Sequence, residues 1–197
     1  HGDIPIDALI IAADAGIKIA EKCAIEPDLA IGDFDSLGYV PKARRVSKHP
    51  QHKDQSDLEL ALERVSTRRY SHVHVYGALG GRFDHTLANL QLFALYAEQG
   101  FDITAIDMDC ALRVLVGPDA FDLPPFKSGT VSVFSATDVS HGVSERGLEY
   151  PLDDADLTNR TSLGLSNELI GQEAAVSVAE GTLYVFYPLA DSAAVSE

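Results

Sequence analysis

The sequence predicts an α/β protein with two domains: an N-terminal domain built on a mostly parallel sheet, followed by a C-terminal all-β sandwich. Between residues 7 and 117, strand-like and helix-like segments alternate, which is typical of a parallel α/β sheet. After Gly117-Pro118 the helical periodicity stops, and short apolar runs separated by glycines follow, which is typical of a sandwich. We therefore predict domains at residues 1–120 and 121–197.

The N-terminal alternation begins with an apolar run from Asp7 to Ala13, which predicts a buried strand. A short helix through about Cys23 follows, and residues 27–31 predict a second strand. An apolar stripe at helical spacing then predicts a helix, with Leu58, Ala61, Leu62 and Val65 on one face. The remaining elements predicted for this domain are a strand, a helix that stops at Gly100 and two further strands, at residues 73–76, 85–99, 103–107 and 112–116.

The second domain is predicted from three short apolar runs, at residues 130–134, 174–178 and 183–187. The composition excludes several classes of protein. A net charge of −15 argues against a nucleic-acid partner, and no apolar run is long enough to span a membrane. Cys23 and Cys110 form no CxxC motif, so we expect a reducing, cytoplasmic setting. The chain begins with His1 rather than Met, so we expect a trimmed or incomplete N-terminus.

Three clusters carry candidate chemistry, and the first is Gly32-Asp33-Phe34-Asp35-Ser36. It follows a predicted strand, and open α/β sheets bind ligands at the carboxyl ends of their strands. Asp33 and Asp35 are spaced so that both carboxylates can reach one cation, and magnesium takes carboxylates together with water and phosphate oxygens. The alternative is a solvated acidic turn, since Asp and Ser are common turn residues.

The second cluster, residues 53–59, opens the helix that carries Leu58. Ser56 or Asp54 is the candidate N-cap, and acidic residues in a first turn suit the helix dipole, so spacing alone favours a structural role. In the functional interpretation, Asp57 points toward the metal site while Lys53 meets phosphate.

The third cluster is Gly77-Ala-Leu-Gly80-Gly81-Arg82-Phe-Asp84-His85. Glycines between a strand and a helix let backbone amides approach a phosphate, and Arg82 adds a fork of donors. Asp84 either caps the helix or joins the metal site. Neither GxxxxGK[ST] nor GxGxxG is present, and the alternative is a tight turn before a capped helix.

These clusters, taken in order, resemble the thiamine pyrophosphokinase family. The matching stretches are residues 13–16, 32–36, 54–57 and 77–85, with Gly164-Leu-Ser166-Asn167 in the second domain. Together they span most of the chain, and Ser56 stands where the family usually has Thr. The resemblance implies a catalytic α/β domain, a β-sandwich and a homodimer with thiamine bound between subunits.

By the same resemblance, Asp33, Asp35 and Asp57 hold Mg²⁺, with Asp14 and Asp84 close by. Gly77, Gly80, Gly81, Arg82, Lys53 and Asp14 are the expected ATP-binding residues. Ser166, Asn167 and Asp57 are the expected contacts to thiamine, and Asp57 or Asp84 is the candidate catalytic base. Because the chain has no Trp, an aromatic wall for thiamine has to come from Tyr or Phe, with Tyr184, Phe186 and Tyr187 as candidates.

The expected reaction transfers pyrophosphate from ATP to the hydroxyl of thiamine, giving thiamine diphosphate and AMP. Three rival functions stay open at this point: a pyrophosphokinase for another alcohol such as a pterin, a non-catalytic nucleotide or thiamine sensor, and an acidic cation-binding module.

Overall fold

A computed structural model describes residues 4–34, 38–39, 41–48, 55–67 and 70–190. The chain forms two compact units, which meet in sequence between Tyr70 and Ser71. Each unit has its own sheet structure and is described separately below.

The first unit contains a three-stranded parallel sheet in the order β1-β2-β3. Its elements are β1 (Ile11–Ala13), α1 (Gly16–Lys22), β2 (Leu29–Gly32), β3 (Val46–Lys48) and α2 (Asp57–Ser66). Both helices pack on the sheet, and the small core holds Ala12, Ile17, Ala30 and Phe34. Since parallel strands point the same way, β1 and β2 end at the same edge, which is where Asp14 and Asp33 follow.

The second unit holds two sheets and one long helix. Its elements are β4 (His72–Tyr76), α3 (Phe83–Glu98), β5 (Asp102–Ile106), β6 (Cys110–Val116), β7 (Asp119–Asp122), β8 (Thr130–Ser135), β9 (Val139–Arg146), β10 (Leu152–Thr158), β11 (Asn167–Glu168), β12 (Ala175–Val178) and β13 (Thr182–Pro188). One sheet has six strands in the order β11-β8-β13-β6-β5-β4, and the other has four in the order β10-β9-β12-β7. Only the β4–β5 pair of the six-stranded sheet is parallel.

The two sheets of the second unit share one apolar core, which makes this part of the chain a sandwich. Leu115, Val133 and Leu183 enter the core from the six-stranded sheet, and Val143 and Val176 enter it from the four-stranded sheet. Helix α3 packs against β5 and β6 and buries Phe93, Tyr96 and Ala97.

The mixed α/β character predicted from the sequence is confirmed, with a parallel sheet early in the chain and antiparallel sheets later. The six-stranded sheet combines strands from both predicted domains, since β4, β5 and β6 precede residue 120 whereas β8, β11 and β13 follow it. The compact units therefore do not coincide with the predicted domains, and the boundary near residue 120 stays a prediction. Within the described residues, no helix combines the length and apolarity that crossing a membrane requires.

Candidate active site

Two half-buried aspartates lie side by side at the edge of the parallel sheet. Asp14 follows β1 and Asp33 follows β2, and the amide of Asp14 donates to the carbonyl oxygen of Ile31 over 2.8 Å. The backbones approach closely here, because a Cβ built on Gly32 would lie 3.4 Å from the Cα of Asp14. The ends of β1 and β2 thus place both carboxylate-bearing residues at one point of the sheet.

The backbone at these strand ends is strained. Asp14 has a φ of 41° and Phe34 a φ of 59°, in the left-handed region that non-glycine residues rarely adopt. Such a conformation costs roughly 1–3 kcal/mol per residue, and it persists only where the surroundings enforce it. Phe34 is 7% exposed and packs in the core of the first unit, so its burial holds the loop in place. Strain of this kind is a feature of functional loops.

A further candidate carboxylate, Asp57, stands at the start of α2. Ser56 is the N-cap of this helix, since its Oγ accepts a hydrogen bond from the amide of Glu59 over 3.1 Å, and Asp57 is the first helical residue. The structural interpretation of Ser56 is therefore confirmed. Helix α2 packs against β1 and β2, the strands that precede Asp14 and Asp33.

Magnesium is the metal that the family resemblance implies. The donor chemistry of Asp14, Asp33 and Asp57 fits it, because all three are half-buried oxygen ligands. Among the described residues, however, no group of three His, Cys, Asp or Glu side chains is arranged to hold an ion. Asp35, the fourth predicted carboxylate, and Lys53, the predicted phosphate ligand, lie outside the described residues.

In the second unit, the glycine-rich loop joins β4 to α3. Gly77, Gly80 and Gly81 have φ values of 69°, 128° and 70°, which a residue with a Cβ adopts only at a cost. The loop is fastened to the helix by two side chains: Thr86, whose Oγ1 accepts from the amide of Gly80 over 3.0 Å, and Asn89, whose Nδ2 donates to the carbonyl oxygen of Ala78 over 2.9 Å. The glycines at 77, 80 and 81 are exposed, and the first turn of α3 follows them.

Arg82 and Asp84, at the end of this loop, pair with each other. Arg82 donates through Nε and Nη2 to the two carboxylate oxygens of Asp84, with 3.1 Å between Nε and Oδ1. Both side chains are well exposed, so the pair is weak, and another anion can take the place of Asp84 at the guanidinium. The hydrogen bond from Arg82 is the main reason that the pKa of Asp84 falls to about 2. While this pair persists, Asp84 is a poor proton acceptor at neutral pH.

Asp107 is a further carboxylate at the glycine loop, and the sequence interpretation gave it no role. It follows β5, whose carboxyl end lies beside that of β4 because Tyr76 pairs with Ile106. A Cβ built on Gly80 would lie 3.6 Å from Oδ2 of Asp107. Asp107 is the last residue of a predicted strand, and ligands of open α/β sheets bind at such carboxyl ends, which is the signal that could have identified it.

The loop that ends in Ser166 and Asn167 lies at the other edge of the six-stranded sheet. Gly164 is essential to its path, because a Cβ there would lie 2.3 Å from the carbonyl oxygen of Val133. Ser166 is exposed, has a φ of 58°, and donates its amide to Oγ of Ser132 over 3.1 Å. The loop is therefore fixed to β8 and presents Ser166 to solvent.

Asn167, by contrast, is turned into the protein and is 4% exposed. Its Nδ2 donates to Oε2 of Glu145 over 2.7 Å and to the carbonyl oxygen of Tyr150 over 2.8 Å. Its Oδ1 accepts from the amides of Tyr150 and Glu168, over 3.0 and 2.9 Å. The carboxamide thus clamps the backbone of Tyr150 on both sides, and the predicted direct contact of Asn167 with thiamine stays a prediction.

Tyr150 is an exposed aromatic residue beside this loop that the sequence interpretation missed. Its side chain is on the surface, and the residue is 66% exposed although its backbone is clamped by Asn167. The three aromatic candidates named from the sequence are engaged elsewhere. The Tyr184 hydroxyl donates to the carbonyl oxygen of Leu90, and burial, with the charge of Glu98, raises the pKa of Tyr184 to about 12. Phe186 packs on Phe134 and Tyr187 on Phe121.

Comparison with known proteins identifies relatives of the whole chain. The family model of the thiamin pyrophosphokinase catalytic domain matches residues 6–105, and that of the thiamin pyrophosphokinase vitamin B1 binding domain matches residues 121–183. The thiamine pyrophosphokinase of Bacillus subtilis (strain 168) is 30% identical over 183 residues, which are 89% of this chain and 85% of the relative.

Solved structures of the same family resemble this chain over most of its length. The crystal structure of thiamine pyrophosphokinase from Bacillus subtilis has a TM-score of 0.80 at 27% identity, over 94% of this chain and 89% of that one. The thiamin pyrophosphokinase structure from Geobacillus thermodenitrificans has a TM-score of 0.79 at 26% identity, over 96% and 90%. The enzyme from Candida albicans shares the fold, with a TM-score of 0.77 at 13% identity.

Proposed function

Because the chain belongs to the thiamine pyrophosphokinase family, its function is to transfer pyrophosphate to thiamine, and we propose how its residues divide this work. The observation that carries the assignment is that one chain matches both family domains in order. The first match contains Asp14, the glycine loop and Arg82, and the second contains the loop of Ser166 and Asn167.

In the proposed reaction, the hydroxyl oxygen of thiamine forms a bond to the β-phosphorus of ATP. The bond between the β-phosphorus and the oxygen bridging to the α-phosphorus breaks, and AMP leaves with that electron pair. The hydroxyl proton passes to a base. Transfers of this kind need positioning and charge neutralisation more than covalent help from the protein.

The proposed magnesium ligands are Asp33, Asp35 and Asp57, with Asp14 beside them. The paired strand ends that carry Asp14 and Asp33 support this proposal, as does the strained backbone there. Magnesium, when bound with ATP, neutralises phosphate charge that an acidic protein would otherwise repel. The net charge of −15 adds to the repulsion that such neutralisation would offset.

The proposed ATP phosphate site is the loop from Gly77 to Gly81 with Arg82, and Lys53 stays a predicted ATP ligand. The amides of Gly77 and Gly80 already donate within the protein, but the exposed backbone of Gly81 next to the first turn of α3 suits an anion. The exposed pair of Arg82 and Asp84 provides a guanidinium that exchanges its carboxylate partner for phosphate at small cost. Asp57 and Asp84 both remain candidate bases, because a phosphate that takes Arg82 from Asp84 also removes the hydrogen bond that lowers the pKa of Asp84.

The proposed thiamine surface is the exposed Ser166 together with the Tyr150 ring. Thiamine is a cation with two aromatic rings, so an aromatic face suits it. Asn167 acts from behind this surface, since two of its four hydrogen bonds fix the backbone that carries Tyr150.

A homodimer is the proposed assembly, and the order of strands supports it. The glycine loop follows β4 at one edge of the six-stranded sheet, and Ser166 precedes β11 at the other edge. Five interstrand steps separate these edges, about 24 Å at a spacing of about 4.8 Å. Reacting atoms have to approach within about 3.5 Å, so this separation supports a site shared between the glycine loop of one copy and the thiamine surface of a second copy. Phe83 and Leu87, 91% and 60% exposed near the start of α3, are apolar side chains that a partner would cover.

The cytoplasm remains the expected location, and the free thiols of Cys23 and Cys110 fit a reducing compartment. The rival functions are not favoured, since the relatives named above are thiamine pyrophosphokinases.

The test is to incubate the protein with ATP, MgCl₂ and thiamine and to quantify AMP and thiamine diphosphate by chromatography. We expect both products in equal amounts, with none when thiamine is omitted or EDTA is in excess. Substitution of a hydroxymethylpterin for thiamine is the control for another alcohol. AMP formation that is indifferent to thiamine would refute the proposal, as would a faster reaction with the pterin.

A further inference from the structure

Glu145 is a fully buried acidic residue of the second unit. It lies in the inner strand β9, between β10 and β12, paired with Leu152 on one side and Val176 on the other. Its side chain is 0% exposed, and Val143, two residues earlier on the same face, belongs to the core cluster. Burial of a carboxylate costs free energy unless the group is hydrogen-bonded, so the contacts that offset this cost indicate the role that the group serves.

Its carboxylate links the two sheets of the sandwich. Oε2 of Glu145, in the four-stranded sheet, accepts from Nδ2 of Asn167, in β11 of the six-stranded sheet, over 2.7 Å. Oε1 is buried without a hydrogen-bond partner among the described residues, and it lies 3.2 Å from where a Cβ on Gly164 would be. The two oxygens of Glu145 therefore meet the two ends of the loop that runs from Gly164 to Asn167.

This contact determines which way the Asn167 carboxamide faces. In the observed orientation, the amide group faces the acceptors of Glu145 and Tyr150, and Oδ1 faces the backbone donors of Tyr150 and Glu168. A flipped carboxamide would place acceptor against acceptor and donor against donor at all four positions. Loss of the Glu145 acceptor removes one of the two groups that hold the amide hydrogens.

We propose that Glu145 is a positioning residue for thiamine binding, which acts by orienting Asn167 and thereby fixing both the backbone of Tyr150 and the loop that presents Ser166. The inference rests on the proposed function of this loop and of Tyr150. It predicts a defect confined to thiamine, because the glycine loop lies at the opposite edge of the sheet. A purely structural Glu145 predicts instead that loss of stability affects both substrates equally.

The experiment compares Glu145→Leu, which removes the acceptor at similar volume, with Glu145→Gln, which retains an acceptor oxygen. The exposed Glu173 provides the matched control Glu173→Leu. We expect Glu145→Leu to raise the KM for thiamine at least about tenfold, about 1.4 kcal/mol, with the KM for ATP changed less than about twofold. Glu145→Gln is expected to restore most of the lost affinity for thiamine, and Glu173→Leu to leave both constants at their wild-type values.

Glu145→Asp decides the question where Glu145→Leu does not fold, since it keeps the charge but shortens the reach to Asn167 by one methylene. We expect its KM for thiamine to rise several-fold with an unchanged KM for ATP. A folded Leu or Asp variant with the wild-type KM for thiamine overturns the inference, as do equal increases in both constants. If the wild-type protein itself forms no thiamine diphosphate, the proposed function fails. If the wild-type protein is active and the variants have the same KM for thiamine, only the positioning role of Glu145 fails.

Discussion

Replacement of Asn167 by Ala provides a quantitative test of the polar clamp beneath Tyr150. The substitution removes four hydrogen bonds, two donated by Nδ2 and two accepted by Oδ1, at a residue that is 4% exposed. It also leaves the buried carboxylate of Glu145 without the amide donor on Oε2. Burial already raises the pKa of Glu145, and the bond from Asn167 is the feature that lowers it again.

The expected loss of stability follows from these partners. Three of the bonds join neutral groups, at about 1 kcal/mol each, and the bond to a carboxylate contributes about 1.5–3 kcal/mol. Water that enters the space left by the carboxamide recovers part of the sum. We therefore expect Asn167→Ala to lower the free energy of unfolding by about 3 kcal/mol, which is a large effect for a single substitution.

The assay is urea denaturation followed by far-UV circular dichroism, combined with hydrogen exchange at the amides of Tyr150 and Glu168, which both donate to Asn167. Asn159→Ala is the matched control, because Asn159 is exposed and bonds only through Nδ2 to Asp138 over 3.2 Å among the contacts described. We expect the control to change stability by less than about 0.5 kcal/mol. If Asn167→Ala costs no more than the control, or if the two amides exchange at unchanged rates, the clamp has no energetic importance.

Two further predictions concern the active site. Arg82→Ala is expected to raise the KM for ATP at least about tenfold, about 1.4 kcal/mol, because it removes the guanidinium at the glycine loop. An unchanged KM for ATP would contradict the phosphate role. Arg160→Ala, on an exposed turn, is the control. Mixing the Arg82→Ala and Tyr150→Ala variants tests whether one active site combines Arg82 of one subunit with Tyr150 of the other. In that case, a mixed dimer has one site with both changes and one site with neither. Random exchange of subunits then restores about one quarter of wild-type activity, whereas either variant alone stays below about one tenth. No recovery, with mixed dimers verified by mass spectrometry, would place both residues in one chain's site.

The elements that the sequence predicted well are those whose apolar pattern matches their burial. The stripe of Leu58, Ala61 and Leu62 became α2, and the run before Val116 became β6. Strands β3 and β10 were missed because their sequences lack an apolar pattern that matches a buried strand. β3 is a three-residue edge strand ending in Lys48, and β10 is an acidic edge strand whose register with β9 shifts twice, which removes the alternation that marks a strand.

In the candidate site, too, contacts between residues close in sequence could be predicted, whereas contacts between residues far apart in sequence could not. The capping role of Ser56 depends on a bond to Glu59, three residues away, so spacing along the chain was enough to suggest it. The burial of Asn167 depends on Glu145, 22 residues away on another sheet, and no local pattern reveals that contact. Tyr150 was passed over for the same reason, because its backbone is held by Asn167, 17 residues away in sequence.

The strand order also determines when this sheet can be completed. β13 lies in the middle of the six-stranded sheet, between β6 and β8, yet it follows both of them in sequence. During synthesis, therefore, β6 and β8 emerge with open edges that only the segment Thr182–Pro188 can fill. Until that segment has left the ribosome, β6 and β8 each keep one unpaired edge beside the gap, and such open edges favour aggregation during synthesis.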